Sequence, residues 1–295
     1  MQTLEILNTK RLYVKYFDVK WNETTQSALP VAKISFEDSL TNFEIVPVVF
    51  ITNEALLKTT RIENLTINIS QLIVKINEVN CLKVNQIQID CDWTEATKDK
   101  YFLLLKLLKK QFQNCQLSCT IRLHQIKYFE RTGLPPVDVG VLMYYNMGQL
   151  GNLSKNSIYN PDDAQKYVRS IPQYPLPLDV ALPIFSWAVH FQNNKIQHLI
   201  SKPNVADFEN SAYFYPAQNN VIKVKQSLFL NGYYLKENDV IKLEIMTPKL
   251  CKMAAKQVAK YMKKVPKNII FYDLDSTNFN HFDHAAFSQI IRCFE

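Results

Sequence analysis

The sequence lacks several features that would assign it to a common functional class. It contains no apolar run of roughly 18 residues or more, so no segment predicts a membrane-spanning helix. It has only 5 glycines among 295 residues, and no G-x-G-x-x-G or G-x-x-x-x-G-K-[ST] loop follows an apolar run, which argues against a nucleotide-binding fold. Its 6 cysteines include no C-x-x-C pair, so the sequence predicts neither a metal site nor a cofactor.

Basic residues outnumber acidic ones, giving a formal net charge of +7. The 34 lysines and arginines are scattered, and the densest clusters, LKKQ and KYMKK, lie on the polar sides of predicted helices. No RNP, helix-turn-helix or basic-aromatic motif accompanies them, so we expect no nucleic-acid partner.

The amino-terminal stretch MQTLEILNTKRLYVKYF has no basic, apolar and small-residue regions in the order of a signal peptide. We therefore expect a cytoplasmic protein. If a leader has been trimmed from the sequence, the expected location is instead the periplasm or the cell envelope.

The segment QIQIDCDW, beginning at Gln86, alternates polar and apolar side chains. This period of two is that of a β-strand, with Gln86, Gln88, Asp90 and Asp92 on one face and Ile87, Ile89, Cys91 and Trp93 on the other. Residues 97–113 follow with an apolar stripe at helical spacing, which predicts half of a βαβ unit with the helix covering the apolar face. The polar face then points inward, where the acids need water, partners or a ligand. A solvated edge strand is the alternative.

Eight segments have the pattern of strands, and helical patterns separate most of them. They begin at Leu12, Ile45, Ile87, Leu117, Val139, Asp179, Val240 and Ile269. This alternation predicts an α/β fold, a single (β/α)8 TIM-barrel domain over residues 1–295. A doubly wound open sheet is the alternative. Residues 191–239 have the pattern of extra β-hairpins inserted before a late strand.

Two helix starts are marked by local chemistry. Asn160-Pro161 and Thr247-Pro248 each combine an N-cap residue with proline at the first helical position. Each pair therefore predicts where a helix begins.

Functional side chains of a TIM barrel gather at the carboxyl ends of its strands. Polar and aromatic residues follow this rule here. In chain order they are Asp18, Asp90, Asp92, Arg122, His124, Tyr145, Asn146, Trp187, Glu244, Asp273 and Asp275. Acids, an arginine, aromatics and an amide around one mouth predict a carbohydrate site, because aromatic faces stack on sugar rings and carboxylates bind hydroxyls.

Most of these residues also have a structural interpretation. Asp18 and Asp275 would serve equally as caps of turns or helices. Arg122 would pair with Asp90 or Asp92, since a buried acid needs a cation. His124 and Trp187 would be hydrogen-bonded or core residues. Asp90 and Asp92 together with Glu244 stand out, because glycosidic cleavage needs one carboxyl group as acid and a second as base or nucleophile.

Several stretches of the chain resemble an uncharacterised bacterial family of barrel proteins within the glycosidase-type TIM-barrel superfamily. They are LYVKYFDVKWN, IVPVVFITNEALL, IQIDCDWT, LSCTIRLHQI and VLMYYNMG. The chain is also distantly similar to chitinase-like glycosidases, in which a D-x-D-x-E strand end supplies the acid and a later M-x-Y-[DN] strand end holds the substrate. The stretch Met143–Asn146 matches the second motif.

The first motif is broken in this chain. Thr94 stands where the resembled family has its catalytic glutamate, and Glu95 comes one position late. The two motifs also lie on the third and fifth predicted strands, whereas the resembled pattern has them on the fourth and sixth. Both counts agree if the sequence begins one strand into the barrel and one of the eight predicted segments belongs to the insertion.

The sequence therefore predicts a glycoside-hydrolase-like barrel that acts on a polysaccharide or oligosaccharide. Asp92 is the expected acid, with Asp90 tuning it and Glu244 as the second carboxylate. The expected substrate contacts are Arg122, His124, Tyr145, Asn146, Trp187, Asp18 and Asp273. The alternative is a non-catalytic carbohydrate-binding or cell-envelope protein on the same fold, since the acid motif is broken.

Overall fold

The computed structural model describes residues 9–279 and 281–295. The chain divides into two compact units, of which the first contains residues up to Leu142 with Gln173–Asp179 and the second contains Met143–Pro172 with Val180–Glu295. The prediction of one domain over 1–295 stays a prediction. Residues 1–8, at the start of the stretch from which the location was predicted, lie outside the described residues.

The first unit is built on a mainly parallel sheet. Its strands are β1 (Arg11–Asn22), β2 (Ser27–Val31), β3 (Glu44–Ile51), β4 (Gln86–Cys91), β5 (Gln116–Arg122) and β6 (Val139–Met143). They lie in the order β2-β1-β3-β4-β5-β6. The pairs β1–β3, β3–β4 and β4–β5 are parallel, whereas β2 returns antiparallel to β1.

Helices connect these parallel strands, as parallel pairing requires. They are α1 (Asn53–Lys58), α2 (Ile62–Val79), α3 (Lys98–Gln111), α4 (Leu123–Lys127) and α5 (Phe129–Thr132). The next strand, β7 (Leu178–Pro183), begins in the first unit, where the amide of Gly140 donates to the carbonyl of Pro177 at 2.9 Å. The predicted alternation of strands and helices is therefore present.

The two faces of β4 have the opposite environments that its sequence predicted. Ile89 is buried on the side of α3, where the Tyr101 hydroxyl donates to the Ile89 carbonyl at 3.4 Å and the Trp93 ring stacks on Tyr101 at 5.1 Å. On the other face, the Gln86 amide donates to the Ser118 hydroxyl of β5 at 3.0 Å. The polar face thus points away from the covering helix, and Gln86 on it has a partner on the neighbouring strand.

The second unit contains the rest of β7 and a separate antiparallel insertion. Its further strands are β8 (Trp187–Gln192), β9 (Lys195–Ser201), β10 (Val221–Lys223), β11 (Leu228–Leu230), β12 (Tyr233–Leu235), β13 (Val240–Glu244) and β14 (Ile269–Tyr272). Strand β14 pairs with β7 in parallel. Strands β10-β13-β8-β9 form an antiparallel sheet, and β11 and β12 form a hairpin.

The helices of the second unit are α6 (Pro161–Val168), α7 (Pro248–Ala259), α8 (Ser276–Phe279) and α9 (His284–Ile291), and short 3-10 turns lie at Ile171–Gln173, Val205–Phe208 and Arg292–Phe294. The two predicted helix starts are confirmed. The Asn160 side chain accepts from the amides of Asp162 and Asp163, and the Thr247 side chain accepts from the amide of Leu250.

Two predicted strands were assigned wrongly. The segment from Val240 lies in the antiparallel insertion, paired with β8, and not in the parallel sheet. The segment from Asp179 is two strands, of which the second begins at Trp187 and also belongs to the insertion. Both errors arise because a short apolar run looks the same in parallel and antiparallel strands. The insertion sheet therefore begins at Trp187 and ends at Glu244, beyond the predicted limits of 191 and 239.

The packing of α3 on the sheet gives a stability prediction. Leu104 is fully buried, whereas its neighbour Leu103 is 39% exposed. Leu104→Ala should lower the free energy of unfolding by about 2–5 kcal/mol, because it leaves a cavity, and Leu103→Ala should change it by at most about 0.5 kcal/mol. Urea unfolding followed by circular dichroism measures both variants. Similar losses in the two would contradict the position of α3.

Candidate functional site

In the first unit, a row across three strands contains two acidic side chains, with an aromatic residue between them. The register of the parallel pairs aligns Asp18 of β1 with Phe50 of β3 and Phe50 with Asp90 of β4. A register shift between Lys15 and Phe17 changes the alternation of β1, so that Lys15 and Asp18 form an ion pair at 3.2 Å although they are three residues apart. The shift therefore affects which way Asp18 faces, and Asp18 is buried.

Asp90 has a raised pKa, chiefly because burial disfavours its charged form. The Thr120 hydroxyl donates to Asp90 Oδ1 at 2.6 Å and opposes the shift, whereas the negative charges of Asp92 and Asp18 add to it. The charge of Asp92 thus raises the pKa of Asp90 by less than burial does, and the predicted tuning of Asp92 by Asp90 stays a prediction.

Arg122, which was expected to pair with Asp90 or Asp92, forms its ion pair with Asp92. The Arg122 and Asp92 side chains are 43% and 41% exposed, so the pair lies in contact with solvent and not in a dry interior. The backbone amide of Arg122 donates to Gln125 Oε1 at 2.8 Å, which fixes the residue at the junction of β5 and α4.

His124, which was predicted at the carboxyl end of a strand, lies just beyond that strand. Strand β5 ends at Arg122, and His124 is an exposed residue in the first turn of α4. Partial desolvation of the ring and the positive charge of Arg122 lower the pKa of His124, while the charge of Asp92 opposes them. The imidazole is therefore mainly neutral at pH 7.

Thr94, at the position of the glutamate in the resembled motif, belongs to a small polar cluster. The Asn53 amide donates to Thr94 Oγ1 at 3.3 Å, and the Thr97 hydroxyl donates to Asn53 Oδ1 at 2.5 Å. The Thr94 amide donates to Thr97 Oγ1 at 3.0 Å. A threonine hydroxyl held in this way cannot act as a general acid near neutral pH. Glu95 is exposed and lies 3.8 Å from Arg131.

In the second unit, four aromatic side chains pack together: Tyr145, Phe185, Trp187 and Tyr272, here called the aromatic cluster. Tyr145 and Tyr272 stack with centroids 5.4 Å apart and planes 6° apart. Phe185 meets both edge-on at 5.7 Å and lies 5.2 Å from Trp187. Tyr272 is 49% exposed, so the cluster presents a ring to solvent.

The structure brings Tyr145 and Trp187 together, as the sequence predicted for substrate contacts, but two members of the cluster were missed. Both lie inside predicted strands; in the structure Tyr272 ends β14 and Phe185 follows β7 by two residues, and an aromatic residue at these positions was the available signal. Asn146 follows Tyr145 as an exposed residue with φ +54°, a left-handed conformation that asparagine tolerates.

Glu244 is buried, and protein groups engage both of its oxygens. The Ser157 amide donates to Oε1 at 2.9 Å, while the Ser157 hydroxyl and the Trp187 indole donate to Oε2, the indole at 2.5 Å. Lys242 pairs with Oε1, and its ammonium also donates to the Asn152 carbonyl at 2.6 Å. The carboxylate thus ties the insertion sheet to the segment 152–157.

Two further acids near the end of β14 are also engaged. The Asn278 amide donates to Asp273 Oδ1 at 2.6 Å. Lys202 pairs with Asp275 at 2.6 Å and, together with the Thr277 amide, lowers the pKa of Asp275. Asp275 therefore has the structural role that was its alternative interpretation.

The catalytic roles predicted for Asp92, Asp90 and Glu244 stay predictions, as do the substrate contacts. Within residues 9–279 and 281–295, no group of three or more histidine, cysteine or acidic side chains could hold a metal ion. Over the same residues, no helix has the length and apolar character needed to cross a membrane.

Comparison with known proteins places the fold. No protein-family model matches the chain, and neither does any curated protein sequence. Solved structures do match across nearly the whole chain. The fold is that of the chitinase-like TIM barrels.

Three of the matching structures show the kinds of protein that have this fold. The chitinase-like agglutinin of Robinia pseudoacacia is 11% identical, with 97% of this chain and 93% of that chain covered and a TM-score of 0.56. The spore cortex-lytic enzyme of Bacillus cereus is 14% identical, with 100% and 69% covered and a TM-score of 0.57. A mutant class V chitinase of Nicotiana tobaccum in complex with NAG4 is 10% identical, with 98% and 94% covered and a TM-score of 0.54.

These likenesses confirm the predicted fold class and the distant similarity to chitinase-like glycosidases. At such low identity they establish the fold, and the residues must be argued from their own contacts.

The buried pair of Lys242 and Glu244 gives a prediction about stability. Lys242→Met should lower the free energy of unfolding by about 3–5 kcal/mol, because it leaves Glu244 buried without its cation. The double variant Lys242→Met with Glu244→Gln should lose less, because no unpaired charge remains. Urea unfolding measures both, and Lys58→Met at an exposed ion pair is the control, with no measurable loss expected. A double variant less stable than the single one would contradict this account.

The raised pKa of Asp90 gives a prediction about pH. The folded protein disfavours the charged carboxylate of Asp90. The stability that Asp90 contributes is therefore fully present below the pKa of about 3.9 that it has in the unfolded chain, and it is lost as the pH rises through its pKa in the folded protein. Asp90→Asn removes this loss, so it should stabilise the protein at pH 7 relative to wild type more than at about pH 3. Thermal unfolding at the two pH values measures the difference. An equal effect at both would refute the assignment.

Proposed function

We propose that the protein binds a carbohydrate through aromatic side chains and does not cleave it. One observation carries this proposal: Thr94 stands at the position of the catalytic glutamate and is held by Asn53 and Thr97. The acid motif is lost, while the M-x-Y-[DN] strand end, Met143–Asn146, is kept with its aromatic neighbours.

The engagement of the acids supports binding over hydrolysis. A general acid must deliver a proton to the leaving oxygen, and a second carboxylate must reach water or the sugar. Asp90 accepts from Thr120, Asp92 pairs with Arg122, and Glu244 is enclosed by its donors. These contacts favour structural roles for the three carboxylates.

The expected ligand is an oligomer of N-acetylglucosamine. Two proteins with this fold were solved with such ligands, the chitinases of Nicotiana tobaccum and Cycas revoluta, in complex with NAG4 and (GlcNAc)4. The half-exposed ring of Tyr272 offers a face on which a sugar ring can stack. The exposed Asn146, which follows Tyr145 in the chain, offers amide hydrogen bonds.

The alternative is hydrolysis with Asp92 as acid, and one observation favours it. The Asp92 side chain is 41% exposed, so solvent and ligand can reach it despite its ion pair with Arg122. Asp92→Asn would then abolish cleavage while leaving binding nearly intact.

Titration with (GlcNAc)4 by calorimetry tests the proposal. Tyr272→Ala should weaken binding by about tenfold, since it removes an exposed aromatic contact. The control is Tyr128→Ala in the first unit, where the side chain is 52% exposed, and it should bind like wild type.

Chromatography of the same mixtures should show no shortening of the sugar. Release of shorter oligomers by wild type, lost in Asp92→Asn, would support the hydrolytic alternative and overturn the proposal. No binding by wild type would also overturn it.

A further inference from the structure

The hairpin of β11 and β12 in the insertion is held in a defined shape. Its turn residues, Asn231 and Gly232, both have positive φ, 49° and 85°. Positive φ at both central residues matches the tight two-residue turns that fit the twist of paired strands. The Asn231 amide also donates to Asp207 Oδ2 at 3.1 Å, which anchors the tip. The hairpin is thus a fixed platform.

The two faces of this hairpin differ in an unusual way. Its paired residues Leu228 and Leu235 pack on the insertion core, as do Leu230 and Tyr233. The remaining pair, Phe229 with Tyr234, points to the other side, where it is 77% and 50% exposed. An outward-facing pair is normally polar, because one face of an antiparallel sheet is solvated. Here it consists of two aromatic rings with centroids 5.0 Å apart.

The residues next to the pair in the sequence carry no charge. No ionisable acid or base occurs from residue 226 to residue 233, and the flanking charges are Lys225 and Lys236. The Lys225 ammonium is directed to the Ser211 carbonyl at 3.3 Å. Apart from Asp207, which accepts from Asn231 at the tip, the hairpin itself offers a ligand aromatic rings and neutral polar groups, which match an uncharged molecule.

We propose that Phe229 and Tyr234, here called the aromatic pair, form a second carbohydrate-binding platform that holds a neighbouring stretch of an uncharged polysaccharide chain. This inference rests on the proposed function. The apolar faces of pyranose rings pack on aromatic rings, and the separation of the two centroids is comparable to the length of one sugar unit. A polymer can occupy the platform where a short oligomer gains little from it.

The size of the pair argues against a protein partner. A buried aromatic side chain contributes about 150–250 Å². Two of them fall well short of the roughly 800 Å² per partner that a stable protein interface buries. A sugar chain needs no such area at one place, because several weak contacts along one polymer combine through their effective concentration.

A membrane surface is the other class of ligand to be separated. Binding to anionic lipid relies on clustered basic residues, which residues 226–233 lack. The leucines of the hairpin also face the insertion core and are not available for insertion into lipid.

The test compares an insoluble polymer with a soluble oligomer, using chitin beads and (GlcNAc)4. The double variant Phe229→Ser with Tyr234→Ser should reduce retention on chitin by about tenfold or more and change the affinity for (GlcNAc)4 by less than about twofold. Phe229→Tyr, which keeps the ring, should be retained like wild type. Tyr128→Ser, at a similarly exposed tyrosine of the first unit, is the matched control.

Each outcome decides something. If the double variant is retained on chitin like wild type, the inference is overturned, even if (GlcNAc)4 binds. It is also overturned if the double substitution abolishes binding to anionic phospholipid vesicles and leaves retention on chitin unchanged. Retention that depends on the aromatic pair, without any binding of (GlcNAc)4, supports the inference and counts against the proposed function at the aromatic cluster. Circular dichroism confirms that the exposed substitutions leave the fold intact.

Discussion

The polar face of β4 is the constraint on which the first unit depends. Helix α3 covers the apolar face, so glutamine and aspartate side chains must be satisfied on the inner side of the sheet. The register of the parallel strands places a suitable group beside two of them: the Ser118 hydroxyl accepts from Gln86, and the Thr120 hydroxyl donates to Asp90. Arg122 then pairs with Asp92 where the strands end. Packing thus determines the state of the acids before any ligand arrives.

The second unit also contains buried polar groups that need partners, in the form of an ion pair. Glu244 and Lys242 are both removed from water, and such a pair persists only when its remaining donors and acceptors are satisfied. Ser157, Trp187 and the Asn152 carbonyl do this, and they join the insertion sheet to the segment that follows the M-x-Y-[DN] strand end. A carboxylate in this position orders the segments that donate to it.

Aromatic rings are among the groups that the structure leaves accessible. The aromatic cluster arises at the ends of β7 and β14, where ring edges and faces pack on one another and one ring stays half exposed. The aromatic pair arises from alternation in a short hairpin whose other face belongs to the core. Stacking on an aromatic ring needs no proton transfer, so the recognition proposed here does not depend on the protonation of the acids.

Local pattern was enough to predict much of this protein. The period of two in QIQIDCDW and the helix caps at Asn160 and Thr247 depend on neighbours in the chain, and they agree with the structure. Tyr145 and Trp187 were recognised as aromatic residues near strand ends, although Phe185 and Tyr272, which complete their cluster, were not.

Pairing between distant segments was decided only by the tertiary structure. Whether Val240–Glu244 joins a parallel or an antiparallel sheet depends on which strand lies beside it, and its own residues suit both. Three other features likewise depend on residues far away in sequence. They are the ion pair of Arg122 with Asp92, the register shift of β1 against β3 after Lys15, and the burial of Glu244 among its donors. Side-chain chemistry can be recognised one segment at a time, but the protonation and accessibility of an acid depend on everything packed around it.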